Sequence, residues 1–257
     1  MSGVRAHVLR DGDPLVVLAH GLEDSWQSWH AFARGLDPDW GVVALDLPWR
    51  TGNDYRWRTR PAGQWLADGL AQVGRVPDML VAHSFGGSAA LQLCAGTAGD
   101  IAGTVTVICP IYRTAQQPVT WKAFELSRLT YTHHMRDGVR ARLGPRARQM
   151  EPGVLDTMMD LALERAGPSG FFTVFDQYLT SPQLPLADVT EPVLVIAGDE
   201  DPTLTHEAAL ALAAAIPHGS VRAHEGYDHF CHIRHAAAVA AQVADFHATL
   251  RTVRQRP

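Results

Sequence analysis

The sequence predicts an α/β fold, a mostly parallel sheet flanked by helices on both faces, interrupted by a helical cap insertion. Three observations predict it. Short apolar runs recur between stretches of helical periodicity, the pattern left by buried parallel strands joined through crossover helices. The residues able to do chemistry fall just past the ends of those runs, where open α/β sheets bind ligands. From residue 111 to 186 the rhythm changes to helical patterns with no buried strand, which places an insertion above that same edge.

In chain order, the apolar runs Leu15 to Ala19, Val42 to Leu45, Met79 to Ala82, Val105 to Cys109 and Val193 to Ala197 read as strands, and Ser220 to His224 as a short one. Trp26 to Leu36, Pro61 to Val73, Phe85 to Ala95, Thr205 to Ala215 and Ala236 to Leu250 read as helices. Pro61 and Thr205 supply start signals. Within the insertion, Trp121 to Leu129, Val154 to Glu164 and Phe171 to Leu179 carry helical periodicity. The expected organisation is therefore a core formed by residues 1–110 and 187–257, with residues 111–186 as a lid. With 257 residues, 46% of them hydrophobic, the chain can bury one large core. The Arg-rich end from Arg251 reads as a frayed terminus.

The segment Ala82-His83-Ser84-Phe85-Gly86-Gly87 joins a strand to a helix through a serine flanked by small residues. A sharp strand-to-helix turn pushes the hydroxyl out above the sheet. Small residues two before and two after it allow the backbones to approach, and Ala82 and Gly86 fill those positions. The following helix start aims free N–H groups and a positive dipole end at any oxyanion formed there.

A serine hydroxyl needs a base, and the base needs an acid to hold its tautomer. The strand ending at Gly198 leads into Asp199-Glu200-Asp201-Pro202, and the strand ending near His224 leads into Gly226-Tyr227-Asp228-His229-Phe230. Ser84, Asp201 and His229 thus follow one another at three strand ends. Asp199, Glu200, Asp228 and Asp46 remain alternatives for the acid.

Together with His20-Gly21 and Asp46-Leu47-Pro48, these motifs make nearly the whole chain resemble the α/β-hydrolase superfamily, in its serine-hydrolase branch with a helical lid. The resemblance implies Ser84 as nucleophile, His229 as base, Asp201 as orienting acid, and an oxyanion hole from the backbone N–H groups of Leu22 and Phe85. It implies cleavage of an ester, thioester or lactone of a mainly apolar small molecule through an acyl-enzyme. The same triad in relatives also serves carbon–carbon cleavage, lyase or cyclisation chemistry, and some members of the fold only bind ligands. Serine at position 84 argues against the epoxide hydrolases and haloalkane dehalogenases, which place an aspartate there. Two departures stand out: only about fourteen residues precede the first long strand, which implies a shortened sheet edge, and Trp49 to Asp54 replaces a glycine-rich turn.

His20, Trp26, His83, Trp49 and Trp57 cluster in the loops expected around the site and are assigned to the substrate pocket, the competing reading being structural anchors for the loops and lid. Cys231, two residues past His229, could line the site, while Cys94 and Cys109 read as small apolar packers. The thirteen histidines include no zinc-type spacing with a matching carboxylate, so neither metal nor cofactor is expected. Arg136, Arg140, Arg142, Arg146 and Arg148 read as a solvated face or as a site for an acidic, carrier-linked substrate. A net charge of −5 gives no general attraction to nucleic acid or anionic membrane. With no run of 18 apolar residues and no secretory pattern at Met1 to Arg10, a cytoplasmic enzyme is expected.

Overall fold

The computed structural model describes residues 3–96 and 101–254. Seven strands form one sheet: β1 (Arg5–Arg10), β2 (Leu15–Ala19), β3 (Gly41–Asp46), β4 (Met79–His83), β5 (Thr104–Ile108), β6 (Val193–Gly198) and β7 (Gly219–His224), in the order β1-β3-β2-β4-β5-β6-β7. All pairings are parallel except β1 with β3. The sequence reading missed β1 because its residues are half exposed and form no apolar run. Backbone pairing to β3, Ala6 opposite Leu45 and Val8 opposite Val43, holds it as an edge strand. The shortened edge thus consists of this single antiparallel strand.

The described residues also form eight α-helices: α1 (His30–Gly35), α2 (Ala62–Val73), α3 (Phe85–Gly96), α4 (Trp121–Leu143), α5 (Pro152–Thr180), α6 (His206–Ala214), α7 (Cys231–Arg234) and α8 (Ala236–Arg254). Strand side chains alternate between two cores. Val17, Leu80, Val105 and Val195 meet Leu66 of α2, Leu91 of α3 and Leu212 of α6 on one face. Val16, Leu18, Val81 and Leu194 meet Phe32 of α1 and Val239 of α8 on the other. Burying a leucine this completely contributes about 2 kcal/mol, so the sheet is the stable body of the molecule. The helix expected from Thr205 is capped as its sequence suggests, Ala208 N–H donating to the Thr205 hydroxyl at 3.2 Å. Helix α8 continues past Arg251 to Arg254, and the last three residues lie outside the described residues.

The sheet order reverses around β2. The chain goes from β2 outward to β3, then returns to β4 on the other side of β2, so the loops after β2 and β4 part and leave a crevice at their C-terminal ends. Gly21-Leu22 follows β2 and Ser84 follows β4.

Between β5 and β6 the described chain forms no strand, only α4, α5 and short 3-10 turns. Helix α4 runs well beyond the expected Leu129, because Tyr131, Met135 and Val139, four residues apart, bury one stripe. Helix α5 holds non-helical φ/ψ at Gly167, just before Pro168, so it consists of two helical stretches end to end, as the two periodic segments imply. Both helices pack over the strand-end loops through Arg142 to Asp24, Arg165 to Glu23 and Gly138 against Phe230.

Candidate active site

Ser84 occupies the turn between β4 and α3 with φ +51°, the left-handed region, and its N–H donates to Ile108 C=O at 2.8 Å. Holding a non-glycine residue there costs on the order of 1 kcal/mol or more, which the buried neighbours sustain. A Cβ at Gly86 would come within 2.5 Å of the His20 carbonyl oxygen, so the helix start can lie against the end of β2 only with glycine there. Ala82 is wholly buried and tolerated at the other flanking position.

His229 Nε2 lies 2.9 Å from Ser84 Oγ, and His229 Nδ1 lies 2.9 Å from Asp201 Oδ2. Residues 117 and 145 positions apart in sequence thus form one continuous relay. The loops that carry acid and base interlock: Glu200 N–H donates to Tyr227 C=O at 3.1 Å, and a Cβ at Gly198 would collide with that same carbonyl. Burial pushes the Asp201 carboxyl up, but His229, His134 and the Thr203 N–H outweigh it and hold it down at about 2. A carboxylate kept ionised in this way can fix the His229 tautomer with its proton on Nδ1.

The alternative acids lie elsewhere. Asp199 and Glu200 are exposed, Asp199 accepting the Gly226 N–H at 2.8 Å. Asp228 accepts the Phe230 N–H and pairs with Arg234, and Asp46 faces Arg50 at 3.6 Å.

A cavity of about 180 Å³ opens above Ser84 between the strand-end loops and helices α4 and α5. Ile111, Tyr112, Met135, Val174, Phe175 and Tyr178 make most of it apolar, while Glu23, Asp24, His134 and Arg142 add polar groups. Leu22 lines this cavity next to Ser84. Phe85 opens α3, so its N–H has no carbonyl four residues back within the helix, the condition for an oxyanion donor.

Of the five side chains assigned to the pocket, only His83 lines the cavity. His20 is wholly buried beneath it, donating from Nδ1 to Gly21 C=O at 2.8 Å and accepting the Leu47 N–H on Nε2 at 3.0 Å. Trp49 donates to His20 C=O, Trp57 donates to Asn53, and both rings pack edge-on against Phe85 at 5.2 and 5.5 Å. Trp26 stacks on His7 of β1, 4.2 Å between centroids. These four residues are braces for the loops and the elbow, and the pocket assignment is corrected accordingly. Cys231 is buried beside the Cys109 thiol and does not line the cavity.

The sequence reading missed Glu23, Asp24 and His134. The two acids are buried immediately after Leu22, and Glu23 accepts hydrogen bonds from Tyr55 Oη at 3.0 Å and Asn53 Nδ2 at 2.8 Å. Their position beside the oxyanion turn was the available signal. Of the five clustered arginines only Arg142 reaches the cavity, and it faces Asp24 at 3.5 Å.

Among the described residues, Asp24, His83 and His232 come together with metal-like spacing, as do Cys109, Asp201 and His229, the latter set containing the acid and base already bonded to each other. The His83 and His232 rings lie with centroids 3.9 Å apart and planes inclined by 32°. Burial lowers both rings' affinity for a proton, His232 to about 3 and His83 well below the usual histidine range, which lets them stack without charge repulsion.

Comparison with known proteins agrees with this architecture. A stretch 32% identical over 97 residues matches Epoxide hydrolase 3 of Xenopus tropicalis, covering 35% of this chain and only 26% of that protein. The bromoperoxidase of Bacillus anthracis superposes with TM-score 0.69 at 20% identity, covering 95% of this chain and 94% of the other. The enol-lactonase of Burkholderia xenovorans superposes with TM-score 0.64 at 20% identity, covering 95% of each chain. At these identities the structural likeness speaks for the fold alone. The family model described as the alpha/beta hydrolase family matches residues 16–242, and the chain, with its reversed sheet order and strand-end turn at Ser84, belongs to that family.

Proposed function

We propose that the protein is a serine hydrolase that cleaves an ester, thioester or lactone of a mainly apolar small molecule. The observation that carries this reading is the unbroken relay from Ser84 Oγ through His229 to Asp201, each link 2.9 Å, at the floor of an apolar cavity. Ser84 Oγ attacks the carbonyl carbon as its proton passes to His229 Nε2. The N–H groups of Leu22 and Phe85 receive the oxyanion, Asp201 holds the imidazolium, and the leaving group departs with the proton. Water, activated by the same histidine, then releases the acid. Helices α4 and α5 act as a lid that excludes bulk water and shapes the acyl site.

The curated relatives are named epoxide hydrolases, but the match spans about a quarter of their length, and the hydroxyl of Ser84 is suited to acyl transfer. A fluorophosphonate should label Ser84, and Ser84→Ala should abolish labelling and ester turnover with its melting temperature unchanged. Labelling that persists in Ser84→Ala would overturn the assignment.

A further inference from the structure

One side chain of the insertion touches both partners of Ser84. His134, on α4, lies flat against His229, with centroids 4.0 Å apart and planes inclined by 8°. Its Nε2 is 3.6 Å from Asp201 Oδ1, and its Nδ1 is 3.2 Å from Thr203 Oγ1. Thr203 N–H donates to the same Asp201 oxygen at 2.8 Å. Burial, reinforced by the field of His229, lowers the affinity of His134 for a proton well below the ordinary histidine range, so the ring is neutral. A neutral ring carries one N–H. With its hydrogen on Nε2, toward the Asp201 side, its Nδ1 can accept the Thr203 hydroxyl proton.

We propose that His134 is a positioning residue of the proton relay, its stacked face holding the His229 ring in line with Ser84. The proposal rests on the serine-hydrolase reading above. Once Ser84 is acylated, the hydrogen bond from its hydroxyl to His229 no longer exists, and the ring is held only by Asp201 and by its packing. The other rings around it, His83 at 4.9 Å and Phe230 at 5.3 Å, meet it at 58° and 88°, so His134 alone presents a parallel face. A neutral face also accepts the imidazolium formed during turnover, where a lysine or arginine would repel it. Because His134 belongs to the insertion, docking of α4 and alignment of the relay become one event.

The test is the rate of fluorophosphonate labelling at Ser84, which reports nucleophile activation without knowledge of the natural substrate. His134→Ala should label about tenfold to a hundredfold more slowly, the scale expected when a reacting group is misaligned. His134→Phe, which keeps the stacked face, should recover most of that loss, and the exposed Lys122→Ala on the same helix should match the wild type. The downfield Nδ1–H proton resonance of His229 should broaden in the alanine variant and sharpen again in the phenylalanine variant. Wild-type labelling by His134→Ala overturns the proposal, as does a loss in His134→Phe equal to that in a folded His134→Ala. If the alanine variant does not fold, the phenylalanine variant decides: near-wild-type labelling upholds the stacking role and a deep loss overturns it. A wild type that does not label at all overturns the hydrolase reading itself, and the positioning role with it.

Discussion

The sheet and the helical insertion are built to different standards. The six residues of β3 and of β6 are all buried, and the two cores flanking the sheet contain most of the fully buried side chains. The insertion holds two small clusters, one around Tyr131, Met135, Ala166 and Phe171 and one around Val139, Met159 and Ala162. It leaves Trp121 83% exposed and Leu129, Leu161 and Phe172 more than half exposed. It meets the sheet side through two polar pairs, Arg142 with Asp24 and Arg165 with Glu23, and through apolar contacts: Val174 and Tyr178 pack on the sheet's core, and Leu22 packs on the cluster around Tyr131. The sheet is the more deeply packed region, and the insertion, with smaller clusters and more exposed apolar surface, is the one expected to open at lower cost.

The sharpest way to break this comparison is at a strand end. Asp201→Asn should lower kcat about 10⁴-fold, because the amide stabilises the wrong His229 tautomer, while the melting temperature moves little. A comparable effect in any variant of the insertion would contradict the division of labour.

Acid should destabilise the sheet side of the site strongly. His83 and His232 are neutral in the fold and take up protons on unfolding, so their contribution is complete above about pH 6.5 and is lost as pH falls below it, down to about 3 for His232. Asp201 adds a loss below its ordinary range, continuing to about pH 2. Calorimetry from pH 7 to 4 should show a steadily falling melting temperature, and His232→Phe should remove on the order of a few kcal/mol of the stability lost over that range. An unchanged slope would mean that the buried rings are not the acid-sensitive groups.

Packing provides the next contrast. Leu18→Ala, in the wholly buried β2, should cost about 3 kcal/mol, whereas Leu129→Ala on exposed α4 should stay within about 0.5 kcal/mol in denaturant titrations. A polar contact of the insertion offers a further contrast. Arg142→Ala strands the buried Asp24 carboxylate and should cost about 2 kcal/mol, with amide exchange rising in α4 before it rises in the sheet. Simultaneous exchange in both would make the insertion part of the cooperative core.

The parts legible in the sequence were those written locally. Apolar runs reported the five strands that are buried, β2 to β6, but carry no signal for the half-exposed β7 and β1, and β1, whose Arg5, His7 and Arg10 pair at an edge through backbone bonds, was missed. The turn at Ser84 was legible because its steric demand falls on residues within two positions of it. The tryptophans were misassigned because an indole suits a pocket wall and a buried brace equally well. Only the Trp49 and Trp57 contacts with Phe85 separate the two.

Sequence alone therefore determined the alternation of strand and helix and the strained turn that presents Ser84, since both arise from periodicity and short-range sterics. Tertiary structure decided which of five carboxylates reaches His229, which side chains face the cavity, and that His134 stacks on the base. Those choices depend on where distant segments pack, and close packing is a property of the assembled surfaces that no local stretch of residues carries.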